Sequence, residues 1–338
     1  MTPPMLEGVA LAIAAGLMSG NCMLPSKFLK VWRWENMWAV FSLVSLVVLP
    51  WGLAFSLVHD LPAIYRSLRA SQFLVPAAFG MCWGVAQILF GISVKRLGLS
   101  LAYAIIVGMG AALGTLVPML ATAGGALHRS TVLAVSLGLV LMIAGIIFTA
   151  WAGRLRDSTL RKKDAPGEDK SYRTSVLLAV LCGFLAPMLN YSFAFGQQIA
   201  KQSIAFGNSA PLAAYAVWPI GLAGGFLPNA GYAIYLLYRR KSWPGFRDAS
   251  SDLLLTCTMA ALWMGAFAVY GMSASFLGNL GTSVGWGLFQ IFMILAANVS
   301  GLLTGEWKRA SRRTYLCLAS GMFLLIAATL FLTSASES

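Results

Sequence analysis

Two stretches decide the reading of this chain: "CWGVAQILFGISVKRLG", Cys82 to Gly98, and "LWMGAFAVYGMSASFLG", Leu262 to Gly278. Trp83, Phe90, Gly91, Ser93, Leu97 and Gly98 of the first match Trp263, Tyr270, Gly271, Ser273, Leu277 and Gly278 of the second in one register. Each stretch lies in a long apolar segment, so the question is what architecture carries one apolar pattern twice.

Composition supplies the first constraint. Of the 338 residues, 59% are hydrophobic and 10% are charged, against roughly 25% charged in soluble domains. A helix needs about 20 apolar residues to cross a bilayer core. Ten such segments are expected, at 6–26, 36–58, 71–93, 99–121, 131–152, 174–198, 210–237, 253–273, 280–303 and 314–333. They leave no room for a soluble domain. The longest polar stretch, 153–173, reads as a solvated loop. No basic leader precedes the first apolar run, which is therefore taken as a transmembrane helix and not as a signal peptide.

The matched stretches fall on the third and eighth segments, and "LAIAAGL" at 11–17 is echoed by "LAVLCGF" at 178–184. The repeat unit is five helices, an odd number, so the second copy is inverted relative to the first. The expected fold is all-α and integral to the membrane, with ten transmembrane helices in two inverted five-helix repeats: 1–152 as the first, 153–173 as a cytoplasmic loop and 174–338 as the second. Inverted repeats mark many secondary transporters, with the substrate site near the midplane between the halves.

The formal charge of +13 could suggest a nucleic-acid partner, but its distribution argues against one. All Lys and Arg except Arg66, Arg69, Arg129 and Lys201 fall in the odd-numbered loops. Such loops stay in the cytoplasm, which puts both termini in the periplasm. The cysteines, Cys22, Cys82, Cys182, Cys257 and Cys317, lie in apolar segments without a CxxC pair and read as packing residues. No P-loop is present. "GMGAALG" at 108–114 lacks dinucleotide-fingerprint spacing and reads as helix packing. His59 and His128 do not form a metal set. Two glycosylation sequons, at Asn190 and Asn298, lie within apolar segments, where glycosylation is not expected. The few charges do not cluster as an enzyme's acid–base groups would, so neither an enzyme nor a cofactor is expected.

No charged residue lies deep in a segment, where it would by default be functional. Glu7 comes nearest, about one turn into the first helix, and is the candidate ion-coupling group. Glu35, Asp252 and Glu306 read as ion pairs or helix-end charges at the inner edge. Without a basic residue in the cavity, the cargo is expected to be neutral or zwitterionic. Uncharged polar and aromatic residues remain as candidate substrate ligands: Asn21, Trp83, Gln87, Asn190, Tyr191, Gln197, Tyr270, Trp286 and Gln290. Amides donate and accept hydrogen bonds, and indole or phenol rings offer apolar faces. A pyranose needs both. The same residues can also serve as interhelical glue and core.

These segments resemble the L-rhamnose–proton symporter family of the drug/metabolite transporter superfamily. "WRWENMWAVFSLVSLVVLPW" at 32–51 resembles its second-helix region, and 83–108 with "GTLVP" at 114–118 its third and fourth helices. "LNYSFAFG" at 189–196 and "GEWKRASRR" at 305–313 also fit. The resemblance spans nearly the whole chain and implies ten helices in two inverted repeats. It also implies a bacterial inner-membrane importer of a small neutral sugar, L-rhamnose or a related deoxysugar or hexose, coupled to a proton or sodium. A second reading is an exporter of amino acids or drug-like metabolites with the same fold.

Overall fold

In a computed structural model, residues 3–122, 128–160, 169–247, 250–308 and 310–335 are described, and among them the secondary structure is helical throughout. Ten helices are long and apolar enough to span a bilayer. They are α1 (Pro3–Phe28), α2 (Trp34–Leu57), α3 (Ala70–Leu97), α4 (Leu101–Ala121), α5 (Arg129–Arg156), α6 (Tyr172–Ala205), α7 (Ala210–Arg240), α8 (Ser250–Phe276), α9 (Val284–Leu303) and α10 (Arg312–Ala335). Each expected segment corresponds to one of them. Helix continues past the expected edges of the 153–173 loop, to Leu160 on one side and from Asp169 on the other. The rest of that loop, 161–168, lies outside the described residues.

Helix α6 is broken twice. Pro187, which lacks an amide hydrogen, ends its first part, and Gly196 separates Met188–Phe195 from Gln197–Ala205. The short middle piece holds "LNYSF" at 189–193, all of it buried.

The pairing of helices is systematic. α1 packs on α8 and α9, and α6 packs on α3 and α4. α2 packs on α8, and α7 packs on α3. α5 pairs with α10, and α2 with α7. The α3–α7 contact is the closest, because glycines remove the side chains between the backbones: a Cβ on Gly80 would stand 1.8 Å from the Gly221 carbonyl oxygen.

One end of the bundle carries most of the basic residues, and there acidic groups tie the halves together. The buried Glu35 carboxylate accepts from Arg240 at 2.8 Å and from the Ser242 hydroxyl. The buried Asp252 carboxylate accepts backbone N–H groups of Lys30, Val31 and Trp32 at 3.0, 2.7 and 2.8 Å. Glu306 pairs with Lys27 and, at 3.2 Å, with Arg156. Each tie except Glu306–Arg156, whose arginine lies within 153–173, joins a residue before that loop to one after it. The buried carboxylates are tolerated because these donors replace their lost hydration.

Candidate functional site: a cavity at one end of the bundle

The opposite end opens into a cavity of about 560 Å³ between the end of α6, the start of α7, the end of α8 and the link to α9. Phe193, Gln197, Gln198, Lys201, Gly271 and Thr282 are among its lining residues. Gln197 and Lys201, at i and i+4 on the last piece of α6, share one face, and Phe193 joins them from the middle piece, before the break at Gly196. The cavity thus has two aromatic rings, Phe193 and Phe195, three amides, Gln197, Gln198 and Asn279, one lysine and small backbone-exposing positions, a combination suited to a small polyhydroxylated ligand with an apolar face.

Behind this cavity stands a hydrogen-bonded hub. Asn190 is fully buried, and its Nδ2 donates to the carbonyls of Gly114 at 2.9 Å and Thr282 at 2.8 Å. Its Oδ1 accepts from the Tyr270 hydroxyl at 2.6 Å. Pro118, four residues after Gly114, has no N–H, so the Gly114 carbonyl lacks its ordinary helical donor, and the Asn190 amide supplies one. The Tyr191 hydroxyl donates to Leu113 O at 2.8 Å, and Trp286 Nε1 to Gly110 O at 3.2 Å. Three of the expected ligand residues therefore spend their donors on one stretch of α4, 110–114. The packing role read for "GMGAALG" is realised as a row of acceptors.

Beside the cavity the aromatic rings form a continuous layer. Phe193 stacks on Trp218 at 4.5 Å, and Tyr270 packs between Trp286 and Phe289 at 5.7 and 5.4 Å. Phe267 lies 5.4 Å from Phe289 and 4.4 Å from Trp263, which stacks on Trp83 at 5.6 Å.

The expected site residues thus divide. Gln197 lines the cavity, donating from Nε2 to Phe193 O at 3.1 Å. Asn190, Tyr191, Tyr270 and Trp286 form its hydrogen-bonded and aromatic support. Trp83 belongs to the aromatic layer, and Gln87, one turn along α3, is half-buried without a hydrogen bond. Gln290, on α9 one turn from Trp286, is buried to 7% exposure and makes no hydrogen bond among the described residues. Asn21 lies apart, bonded to Leu17 O at 2.8 Å and to the Ser300 hydroxyl. Glu7 is exposed on α1, next to Gly8, whose carbonyl accepts from Ser273 on α8 at 2.6 Å.

Lys201 departs from the expectation that no basic residue meets the cavity. It lies in the last turns of α6, beyond the expected apolar segment 174–198. Its i, i+4 spacing from Gln197 was the signal available. No group of acidic, His and Cys side chains suited to a metal ion occurs among the described residues.

Ten membrane-length helices, a cavity at one end of the bundle and ionic ties between its halves at the other define the class: a polytopic membrane protein built like a secondary transporter. The L-rhamnose-proton symport protein (RhaT) family matches residues 5–335, and the chain belongs to that family. Among curated relatives, the L-rhamnose-proton symporter of Klebsiella pneumoniae subsp. pneumoniae is 29% identical over 323 residues, covering 93% of both chains. That of Cronobacter sakazakii is 29% identical over 330 residues with the same coverage. A solved crystal structure shares the fold with a TM-score of 0.53 at 13% identity, covering 96% of this chain and 98% of the other.

Proposed function

We propose that this protein carries a small neutral sugar, L-rhamnose or a closely related deoxysugar or hexose, into the bacterial cytoplasm together with a proton. The observation that carries this reading is family membership along nearly the whole chain, joined to a cavity of about 560 Å³ at the end of the bundle opposite the ionic ties. The relatives bear the name of a sugar–proton symporter, which favours import over the export of amino acids or drug-like metabolites.

The basic end faces the cytoplasm by the positive-inside rule. Both termini then lie in the periplasm, and the conformation described here is open outward. The two inverted repeats, 1–152 and 174–338 about the loop 153–173, are supported by the helix pairing. Replacing each helix by the one five places away converts the α1–α8 and α1–α9 contacts into the α6–α3 and α6–α4 contacts, and leaves α5–α10 and α2–α7 unchanged. Two such halves exchange conformations to open the site alternately to each side. In the cycle, sugar enters from the periplasm against Phe193, Gln197 and Gln198, the outer ends of α6 and α8 close, and the ionic ties at the basic end release. Asn21, Gln87, Gln290 and Trp83 become contacts of the sugar on its inward path. Glu7 is the candidate proton carrier at the outer end.

Uptake of radiolabelled L-rhamnose into cells expressing the protein tests the reading. Uptake should exceed the vector control and alkalinise a lightly buffered medium. Glu7→Gln should abolish the pH signal while retaining sugar exchange. No uptake of rhamnose or of competing deoxysugars and hexoses would sink the substrate assignment. A periplasm-active reporter fused after Ser338 should be active, and an inactive fusion would reverse the orientation.

A further inference from the structure

The Trp218 side chain is 1% exposed, yet its Nε1 has no hydrogen-bond partner. Buried donors in folded proteins are nearly always paired, and an exception calls for an explanation. Several other buried polar atoms lack partners, Trp32 Nε1, Thr115 Oγ1 and Ser203 Oγ among them. What sets Trp218 apart is its setting, because three residues around its indole line the cavity. Phe193 covers its face at 4.5 Å with an interplanar angle of 7°. Gly271 and Ala214 flank its N–H edge: a Cβ placed on Gly271 would lie 2.9 Å from Nε1 and 3.2 Å from the Ala214 Cβ. The donor therefore stands behind the wall where that wall is thinnest, at a glycine.

We propose that Trp218 Nε1–H is a specificity-determining donor for the cargo. It pairs with a sugar hydroxyl as α7 and α8 move to occlude the cavity, and Gly271 keeps that approach free of a side chain. The inference rests on the reading that the cargo is a neutral sugar. Its physical content is a link between recognition and closure. In the empty protein the N–H has no acceptor, which penalises that packing. A cargo with a hydroxyl at the right carbon removes the penalty, whereas an analogue lacking it does not. A site with a committed donor rejects such an analogue more strongly than an apolar pocket can.

The test is equilibrium binding to the purified full-length protein in detergent, by calorimetry, with L-rhamnose and its monodeoxy analogues. Trp218→Phe, which keeps a ring and removes the N–H, should weaken L-rhamnose binding about tenfold. One monodeoxy analogue should bind the wild type about tenfold more weakly than L-rhamnose and bind Trp218→Phe no worse than it binds the wild type. Gly271→Ala keeps the indole and places a methyl group beside its N–H; it should reproduce the loss, and it serves as the deciding variant if Trp218→Phe does not yield monodisperse protein. Unchanged L-rhamnose affinity in a folded Trp218→Phe or Gly271→Ala protein overturns the proposal and leaves the transport reading standing. Absence of any sugar binding to the wild type overturns the transport reading and the proposal with it.

Discussion

The two copies of the repeated pattern, on α3 and α8, are both helical and both reach a glycine of positive φ, yet their ends and surroundings differ. Gly98 and Gly278 both take positive φ, +83° and +63°, a region that costs other residues strain, but Gly98 caps α3 directly, whereas α8 ends at Phe276 and Gly278 opens a 3-10 turn. Trp83 and Trp263 stack on each other at 5.6 Å, which brings the two patterns together at mid-helix. Beyond that point the copies diverge. Tyr270 is fully buried and bonded to Asn190, whereas Phe90 is half-buried and has no hydroxyl. Ser273 donates to Gly8 O, whereas the buried Ser93 hydroxyl has no partner. Gly271 abuts Trp218, whereas the space beside Gly91 is empty. Local pattern sets the helix; position in the bundle sets what each residue does. The second copy builds the cavity wall and the first does not.

The sharpest way to break this contrast is to remove the hub that serves only the second copy. Asn190→Leu orphans the Gly114 and Thr282 carbonyls and the Tyr270 hydroxyl at once. With a cost of about 1–3 kcal/mol for each unsatisfied buried group, the variant should lose several kcal/mol and fail to give a monodisperse peak in detergent. A well-folded variant with only weakened sugar affinity would instead make Asn190 a direct ligand. Next in size is the exchange that makes the copies alike. Tyr270→Phe leaves Asn190 Oδ1 without its donor and should cost about 1–3 kcal/mol, read as a lowered melting temperature. Phe90→Tyr, on the looser copy, should change it little. Equal effects at both positions would erase the asymmetry. Smaller again, Ser273→Ala should cost about 1 kcal/mol for its bond to Gly8, and Ser93→Ala should be neutral or slightly stabilising, since it removes an unpaired hydroxyl.

Much of the fold was legible in the sequence because membrane crossing demands long apolar runs, and these survive any detail of packing. Glu35 and Glu306 form ion pairs, one of the two roles read for them, although with Arg240, Lys27 and Arg156 and not with their sequence neighbours; Asp252 sits in the first turn of α8, as a helix-end charge would, and binds backbone N–H groups. The site was legible only in part. Asn190, Tyr191, Tyr270 and Trp286 stood out as polar or aromatic groups on repeat-related helices, and they do gather beside the cavity. Their roles were not legible, since amide chemistry does not reveal whether a donor is free or already spent. Pro118 held a clue: by freeing the Gly114 carbonyl it creates a demand that some buried donor must meet. Lys201 and Trp218 were missed for different reasons. The first lies near a helix end, beyond the expected apolar segment, and the second becomes notable only through a missing partner, which is a property of three-dimensional packing.

The smallest effect bears on the repeat itself. Gly91 is exposed on α3 with nothing within 4 Å of where a Cβ would stand. A glycine in a helix interior costs about 0.5–1 kcal/mol relative to alanine, so Gly91→Ala should raise the melting temperature in detergent by about 1–3 °C. Transport should respond in the opposite sense. If the halves exchange conformations, Gly91 takes up in the inward-open state the crowded environment that Gly271 has here, and the added methyl group then obstructs it. Rhamnose uptake by Gly91→Ala should therefore be slower than in the wild type, while binding measured on the outward-open protein stays the same. Greater stability with unchanged uptake would mean that the first copy never enters a crowded state, and the two repeats would then share a pattern without exchanging roles.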